Sequence, residues 1–364
     1  MVKFTKTLTS VAAIAAISAL ALTGCGRGDS SSGSNGSAAA GFAKDATIGV
    51  ALPQKTSENW VLAENLFNSD LKSAGFKADV QFANNGATEQ QNQINSMISN
   101  GAKVIIVGAV DGSQLGTQLK QAKDAGVTII AYDRALTNTS NVDYYLAYDN
   151  FKVGELQGQA LLEGMKTKKP SGPYNIELFA GDPADANSKP FFDGAMSVLK
   201  PKIDDGTLKV VSGQVSQNDA ATQGWLAANA QKRMDTLLAA NYTTAPLDGV
   251  LSPNDTLARA IITSVKAAGK PIPVVTGQDS EVESVKSIMA GEQYSTINKD
   301  TSNLVKAAVA MVTDLQQGKT PATTTTSNNG TKDVPTKFLE PVIVTKANAA
   351  QAYANDPTLG PLTK

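Results

Sequence analysis

Between Thr47 and Tyr132 the chain repeats one unit three times: a segment with apolar residues at helical spacing, a glycine, then a short continuous apolar run. Trp60, Ala63, Phe67, Leu71 and Ala74 recur at spacings of three and four, which puts them on one helix face, and Gly75 follows as a stop. Thr88 to Asn100 ends at Gly101, and Ser113 to Ala125 ends at Gly126. Runs such as Val104-Ile105-Ile106-Val107 are apolar on both faces, as in a parallel sheet covered by helices on both sides. Strands are expected at Thr47–Leu52, Ala78–Phe82, Lys103–Gly108, Val127–Tyr132 and Asp143–Tyr148. A second series covers Tyr174–Phe179, Leu208–Val211, Gly249–Leu251, Ile272–Val275 and Tyr294–Ile297. The alternation runs once over 45–149 and again over 150–297, so the expected class is α/β with two doubly wound parallel-sheet lobes.

A length of 364 residues with 41% hydrophobic content supplies core for about two domains. A formal charge of −1 gives no electrostatic reason for a nucleic-acid partner. The chain has no histidine and one cysteine, which excludes Ser-His-Asp and Cys-His nucleophile systems, imidazole general bases and the common Cys/His zinc sites. The dinucleotide, Walker, zincin and EF-hand motifs are missing, so no cofactor or metal is expected. A non-enzymatic binder fits this composition better than a hydrolase.

Lys3 and Lys6, the apolar run Val11–Leu22 and the small residues before Cys25 read as a secretory signal over 1–24. The apolar run is too short for a membrane span. Leu22-Thr23-Gly24-Cys25 resembles the lipobox of bacterial lipoproteins, which implies that Cys25 is acylated and heads the mature chain. Gly26–Gly41 is rich in Gly, Ser and Ala and has almost no bulky side chain, so 25–44 reads as lipidated cysteine plus flexible tether. The Arg27-Gly28-Asp29 triplet in that tether is short enough to be chance composition. Only signal and tether precede Thr47, leaving no room for a helix-turn-helix head.

In open α/β sheets ligands bind beyond the carboxyl ends of the strands, so the residues after each apolar run are the candidates. They are Lys55, Asn59 and Trp60, then Asp133-Arg134, Asn187, Trp225, Asn254, Asp279 and Lys299. Each has a structural alternative: helix N-caps for Asn254 and Asp255, a local ion pair for Asp133-Arg134, core packing for Trp60 and Trp225. Together, carboxylates and carboxamides that accept, Arg and Lys that donate, and two aromatic faces match a small polyhydroxylated ligand, a sugar.

The segments NQINSMISNGAKVIIVGAVDG (92–112), YDNFKVGELQ (148–157), NIELFAGDPADANSK (175–189) and VVTGQDSEVESVKSIMAGEQYSTINKDT (274–301) resemble the sugar-binding proteins of bacterial ABC importers. The resemblance lies with the xylose-binding and multiple-monosaccharide-binding branch and spans Thr47 to about Lys346. It implies the type I periplasmic-binding-protein fold, with two lobes joined by a three-segment hinge and divided as 45–149 plus 299–337 and 150–298 plus 338–364. It implies further that Trp60 and Trp225 stack on the sugar from opposite lobes and that Asp133 and Arg134 hold ring hydroxyls from the first lobe. Asn187, Asn254 and Asp279 would do so from the second, with Lys299 at the hinge and Lys55 matching a lysine of the multiple-sugar relatives. The implied partners are a monosaccharide, the permease subunits and the outer face of the cytoplasmic membrane, with the receptor itself a monomer.

Two departures bear on the ligand: Asn59 stands where that branch has Arg, and Ala186-Asn187 where it has Asn-Asn. Losing a five-donor fork and an amide removes ring-hydroxyl contacts, which sets fructose and ribose beside xylose and glucose. A lipoprotein start on an Ala/Thr-rich body is similar to actinobacterial receptors such as that of a bifidobacterial fructose importer. Two alternatives stay open on residues alone: a nucleoside or furanone-signal receptor on the same scaffold, and a two-carboxylate carbohydrate-active enzyme using Asp133 and Asp279.

Overall fold

A computed structural model describes residues 41–84 and 86–364; Cys25, the signal and most of the tether lie outside the described residues. The first half runs β1 (Thr47–Leu52), α1 (Glu58–Ser73), β2 (Lys77–Phe82), α2 (Ala87–Ser99), β3 (Val104–Val107), α3 (Gly116–Asp124), β4 (Thr128–Tyr132) and β5 (Tyr144–Tyr148). The chain then passes into α4 (Asn150–Lys168), β6 (Tyr174–Leu178), α5 (Ser188–Asp204), β7 (Leu208–Val210), α6 (Gln217–Ala220), α7 (Ala227–Asn241) and β8 (Gly249–Leu251). This part closes with α8 (Asp255–Ala267), β9 (Val274–Val275), α9 (Val282–Ala290) and β10 (Ser295–Asn298). Last come α10 (Thr301–Gln316), β11 (Thr325–Asn328), β12 (Asp333–Leu339), β13 (Val342–Thr345) and α11 (Ala349–Ala352).

Among the described residues one sheet has the order β11-β12-β5-β4-β3-β1-β2, parallel except for β11. A second, wholly parallel, has the order β7-β6-β8-β9, and β10 pairs antiparallel with β13 beside it. Strand side chains alternate between faces, so each sheet serves two cores. Val104 and Ile106 join Phe67 and Tyr132 on one side of the larger sheet, and Ile105 and Val107 join Ile94 and Leu119 on the other. This is the type I periplasmic-binding-protein fold, with two α/β lobes.

The three expected glycine stops, Gly75, Gly101 and Gly126, all take the left-handed φ that ends a helix without a Cβ clash. Ala74 is exposed as the cap of α1 and does not belong to its buried face. α3 begins at Gly116, because Asp111 Oδ1 accepts from both the backbone N–H and the hydroxyl of Ser113 and holds that stretch as a turn. β9 is confined to Val274–Val275, since Pro271 and Pro273 have no N–H for a ladder. The strands β11 to β13 were not read from the sequence; Thr325–Asn328 is polar and β12 contains Pro335. Phe338 and Leu339 still pair with β5, so the last passage between sheets falls at 340–341, beyond the expected 337/338. No helix among the described residues is long and apolar enough to cross a membrane.

Candidate functional site

The loops at the carboxyl ends of both parallel sheets face one small cavity. Nine of the ten residues expected to bind ligand line it: Asn59, Trp60, Asp133, Arg134, Asn187, Trp225, Asn254, Asp279 and Lys299. Lys55 is the exception. Its ammonium pairs with Glu64 at 2.9 Å and lies 4.5 Å from the Phe82 ring, on an exposed side of α1. A lysine at the start of a loop is long enough to reach either way, and here a carboxylate two turns into α1 takes it.

Trp60 comes from the first turn of α1, where the apolar periodicity buries it against Tyr132 at a 6.2 Å centroid distance. It is therefore both core and cavity wall. Trp225 stands outside the regular helices. It ends a single 3₁₀ turn, Gln223–Trp225, with φ of 54°, and α7 starts two residues later. Its indole N–H donates to Asp185 Oδ2 at 3.1 Å. Asn254 is both cap and wall: its side-chain oxygen accepts from Leu257 N at 3.0 Å as N-cap of α8. Asp255, the first residue of α8, is fully buried instead, accepting from Glu281 N, Gln293 and Thr296.

Asp133 and Arg134 do not pair with each other. Arg134 Nε lies 3.0 Å from Asp185 Oδ2 across the cleft, and its Nη1 donates to Ala109 O at 3.0 Å. Lys299 sits between Asp279 at 3.1 Å and Asp133 at 3.8 Å, so an acidic residue from each lobe shares one cation at the hinge. Burial pushes Asp185 and Asp279 above the usual carboxylate range, with Arg134 and Lys299 respectively pulling them back. For Lys299 burial works downward, but Asp279, Asp133 and Asp185 outweigh it and raise its pKa, keeping it protonated. Five non-glycine residues have positive φ among those described, and three of them, Asp133, Trp225 and Asp279, line the cavity. Such conformations persist where surrounding structure over-determines them, and they concentrate at ligand clamps.

Two of the cavity's buried polar atoms, Asn59 Oδ1 and Gln278 Oε1, have no hydrogen-bond partner among the described residues, while Arg134 Nε and Asp279 Oδ1 have only their ion-pair contacts. Buried polar groups are nearly always satisfied, so two unpartnered acceptors on one small cavity leave hydrogen-bonding capacity directed into it. Residues 48–320 match the periplasmic binding protein domain.

The chain belongs to the periplasmic binding protein family.

Within that family it is 48% identical over 315 residues to the multiple sugar-binding periplasmic receptor ChvE of Rhizobium radiobacter, covering 84% of this chain and 89% of that protein. It is 37% identical over 318 residues to the D-xylose-binding periplasmic protein of Escherichia coli K12, covering 87% of this chain and 92% of that protein. A solved ABC transporter solute-binding protein from Clostridium phytofermentans, with β-D-glucose bound, superposes with a TM-score of 0.83. That pair is 37% identical, over 87% of this chain and all of the other.

Sequence reasoning missed Ser57, Asp185, Phe191 and Gln278 as cavity walls. Gln278 adjoins Asp279, Ser57 lies midway between Lys55 and Asn59, and Phe191 lies one helical turn after Asn187, so it shares that face of α5. Asp185 carried a weaker signal. It is one of two aspartates in Gly181-Asp182-Pro183-Ala184-Asp185, and only the folded loop shows that Asp182 caps the turn while Asp185 turns inward.

Proposed function

We propose that this protein is the extracytoplasmic sugar-binding component of an ABC importer, taking one monosaccharide between its two lobes and presenting it to a permease. The observation that carries this is the cavity itself: Trp60 and Trp225 from opposite lobes, with partnerless polar atoms between them. Aromatic rings cover the apolar C–H faces of a sugar, while Asp133, Arg134, Asn187, Asn254, Asp279 and Lys299 exchange hydrogen bonds with its hydroxyls. Closure removes water from those charged hydrogen bonds, each worth roughly 1.5–3 kcal/mol, and marks the liganded state by shape. The relatives named for multiple sugars and for D-xylose, and the one holding β-D-glucose, support the ligand class.

The finer reading is that Asn59 and Ala186, both shorter than the Arg and Asn of the xylose branch, admit fructose or ribose beside xylose and glucose. Cys25, acylated, would hold a monomeric receptor on the outer face of the membrane, with lobes divided near 149, 299 and 340. Thermal unfolding of the protein against fructose, ribose, xylose, glucose, galactose, arabinose and a nucleoside set tests the class and the ligand together. A sugar present at about 100 times its dissociation constant adds about 2.7 kcal/mol, a clear melting shift. A shift with nucleosides alone, or with nothing, would sink the sugar reading; released product from a glycoside would point to the two-carboxylate enzyme.

A further inference from the structure

Two helices from opposite lobes meet at the rim of the cleft with their N-termini facing each other. α1 has Ser57 as N-cap and α9 has Glu281, and neither cap residue bonds its own helix through its side chain. A helix start leaves several N–H groups without an internal partner. Here each helix receives an acceptor from the other lobe: Glu58 N donates to Glu281 Oε1 at 3.2 Å, and Val282 N donates to Glu58 Oε2 at 2.9 Å. The arrangement is a reciprocal capping box divided between lobes.

The two halves differ in preparation. Glu281 is held within its own lobe by the Thr256 hydroxyl at 2.9 Å and by Arg259 Nη1 at 2.7 Å. Glu58 is 44% exposed at its side chain, and its nearest cation is Arg259 at 4.0 Å, again in the other lobe. Opening the cleft would leave Glu281 partnered and release Glu58 and both helix starts to water. Glu58 lies between Ser57 and Asn59, two of the cavity walls, so fixing it fixes the loop that brings in Trp60.

We propose that Glu58 and Glu281, bridged by Arg259, form a latch that engages only when the lobes are closed and so sets how long a captured ligand stays, without touching it. The proposal rests on the reading that the lobes close on a ligand. A latch absent from the open state acts on dissociation and leaves encounter alone, and it raises apparent affinity by raising the closed fraction.

The test uses the full chain with Glu58→Ala and Glu58→Gln, stopped-flow kinetics with whichever monosaccharide shifts the melting curve, and small-angle scattering with and without that sugar. Glu58→Ala is expected to raise the dissociation rate about tenfold, the low end for charge-assisted bonds because Glu58 is partly exposed. The association rate should change less than about twofold, and the ligand-free melting temperature should hold. Glu58→Gln keeps an acceptor oxygen and should fall between. An unchanged dissociation rate, or equal changes in both rates, overturns the latch. If no monosaccharide binds, the sugar reading falls by itself, and the latch is judged by the same two rates with the nucleoside that shifts the melting curve; if nothing binds, the latch falls with the closure it rests on.

Discussion

The two tryptophan walls of the cavity are supported in different ways. Trp60 stands on a regular helix within an apolar cluster that includes Phe67, Tyr132 and Tyr148, so its position follows from side-chain periodicity. Trp225 stands on an irregular turn with a left-handed backbone and is steered by Asp185, which also meets Arg134 from the other lobe. The wall built by packing is tolerant, because neighbouring apolar groups can shift a little and refill space. Trp225 also packs in an apolar cluster with Phe179 and Phe191, but its ring is pinned by one polar bond and a tight backbone approach, contacts with few substitutes.

The largest expected difference comes from the glycine behind each ring. A β-carbon at Gly181 would overlap the Trp225 ring, whereas one at Gly108 would lie 3.0 Å from Trp60 Cζ3. Gly181→Ala should therefore displace Trp225 from Asp185 and weaken sugar binding about 100-fold or more, while Gly108→Ala should cost about tenfold or less. Calorimetric titration of both variants checks this; equal losses would remove the distinction between the walls.

An effect of intermediate size should appear in pH dependence, through a buried carboxylate of the lobe that carries Trp225. Burial, then the carboxylates of Glu281 and Asp279, push Asp255 well above the usual carboxylate range. The folded chain thus takes up this proton more readily than the unfolded chain. Wild-type stability relative to Asp255→Asn should be lowest above the raised value and should improve as pH falls through it. Melting curves of both proteins, taken as pH is lowered toward the ordinary carboxylate range, should show the difference moving in favour of the wild type. Phe67→Leu, in the apolar support of Trp60, should differ from wild type by the same amount throughout; a drift as large as that of Asp255→Asn would contradict the contrast.

The smallest effect is expected at Lys55. Its ammonium is occupied by Glu64 on the surface, so Lys55→Ala should change stability by about 0.5 kcal/mol or less and sugar affinity by less than about twofold. A larger loss of affinity would bring Lys55 back into the site.

Much of this was legible in the residues. Doubly apolar runs gave the buried parallel strands, glycines closed the helices, and of the ten expected cavity positions seven polar residues and both tryptophans line the cavity. What could not be read depended on partners distant in the chain. Thr325–Asn328 is a strand because the edge of β12 is available to it, not because its residues alternate. Asp133-Arg134 looked like a local pair, yet each found its partner in a loop more than 50 residues away.

The sequence by itself determined strands β1 to β10, the helix stops between the first of them and the residue types that gather at their carboxyl ends, because periodicity and helix stops act over a few residues. Only the tertiary structure decided which aspartate turns inward, which cation each carboxylate meets, and that Glu58 and Glu281 cap each other's helices across 223 positions of chain. Those contacts arise when two separately built lobes meet, and no short-range pattern encodes the distance across a cleft.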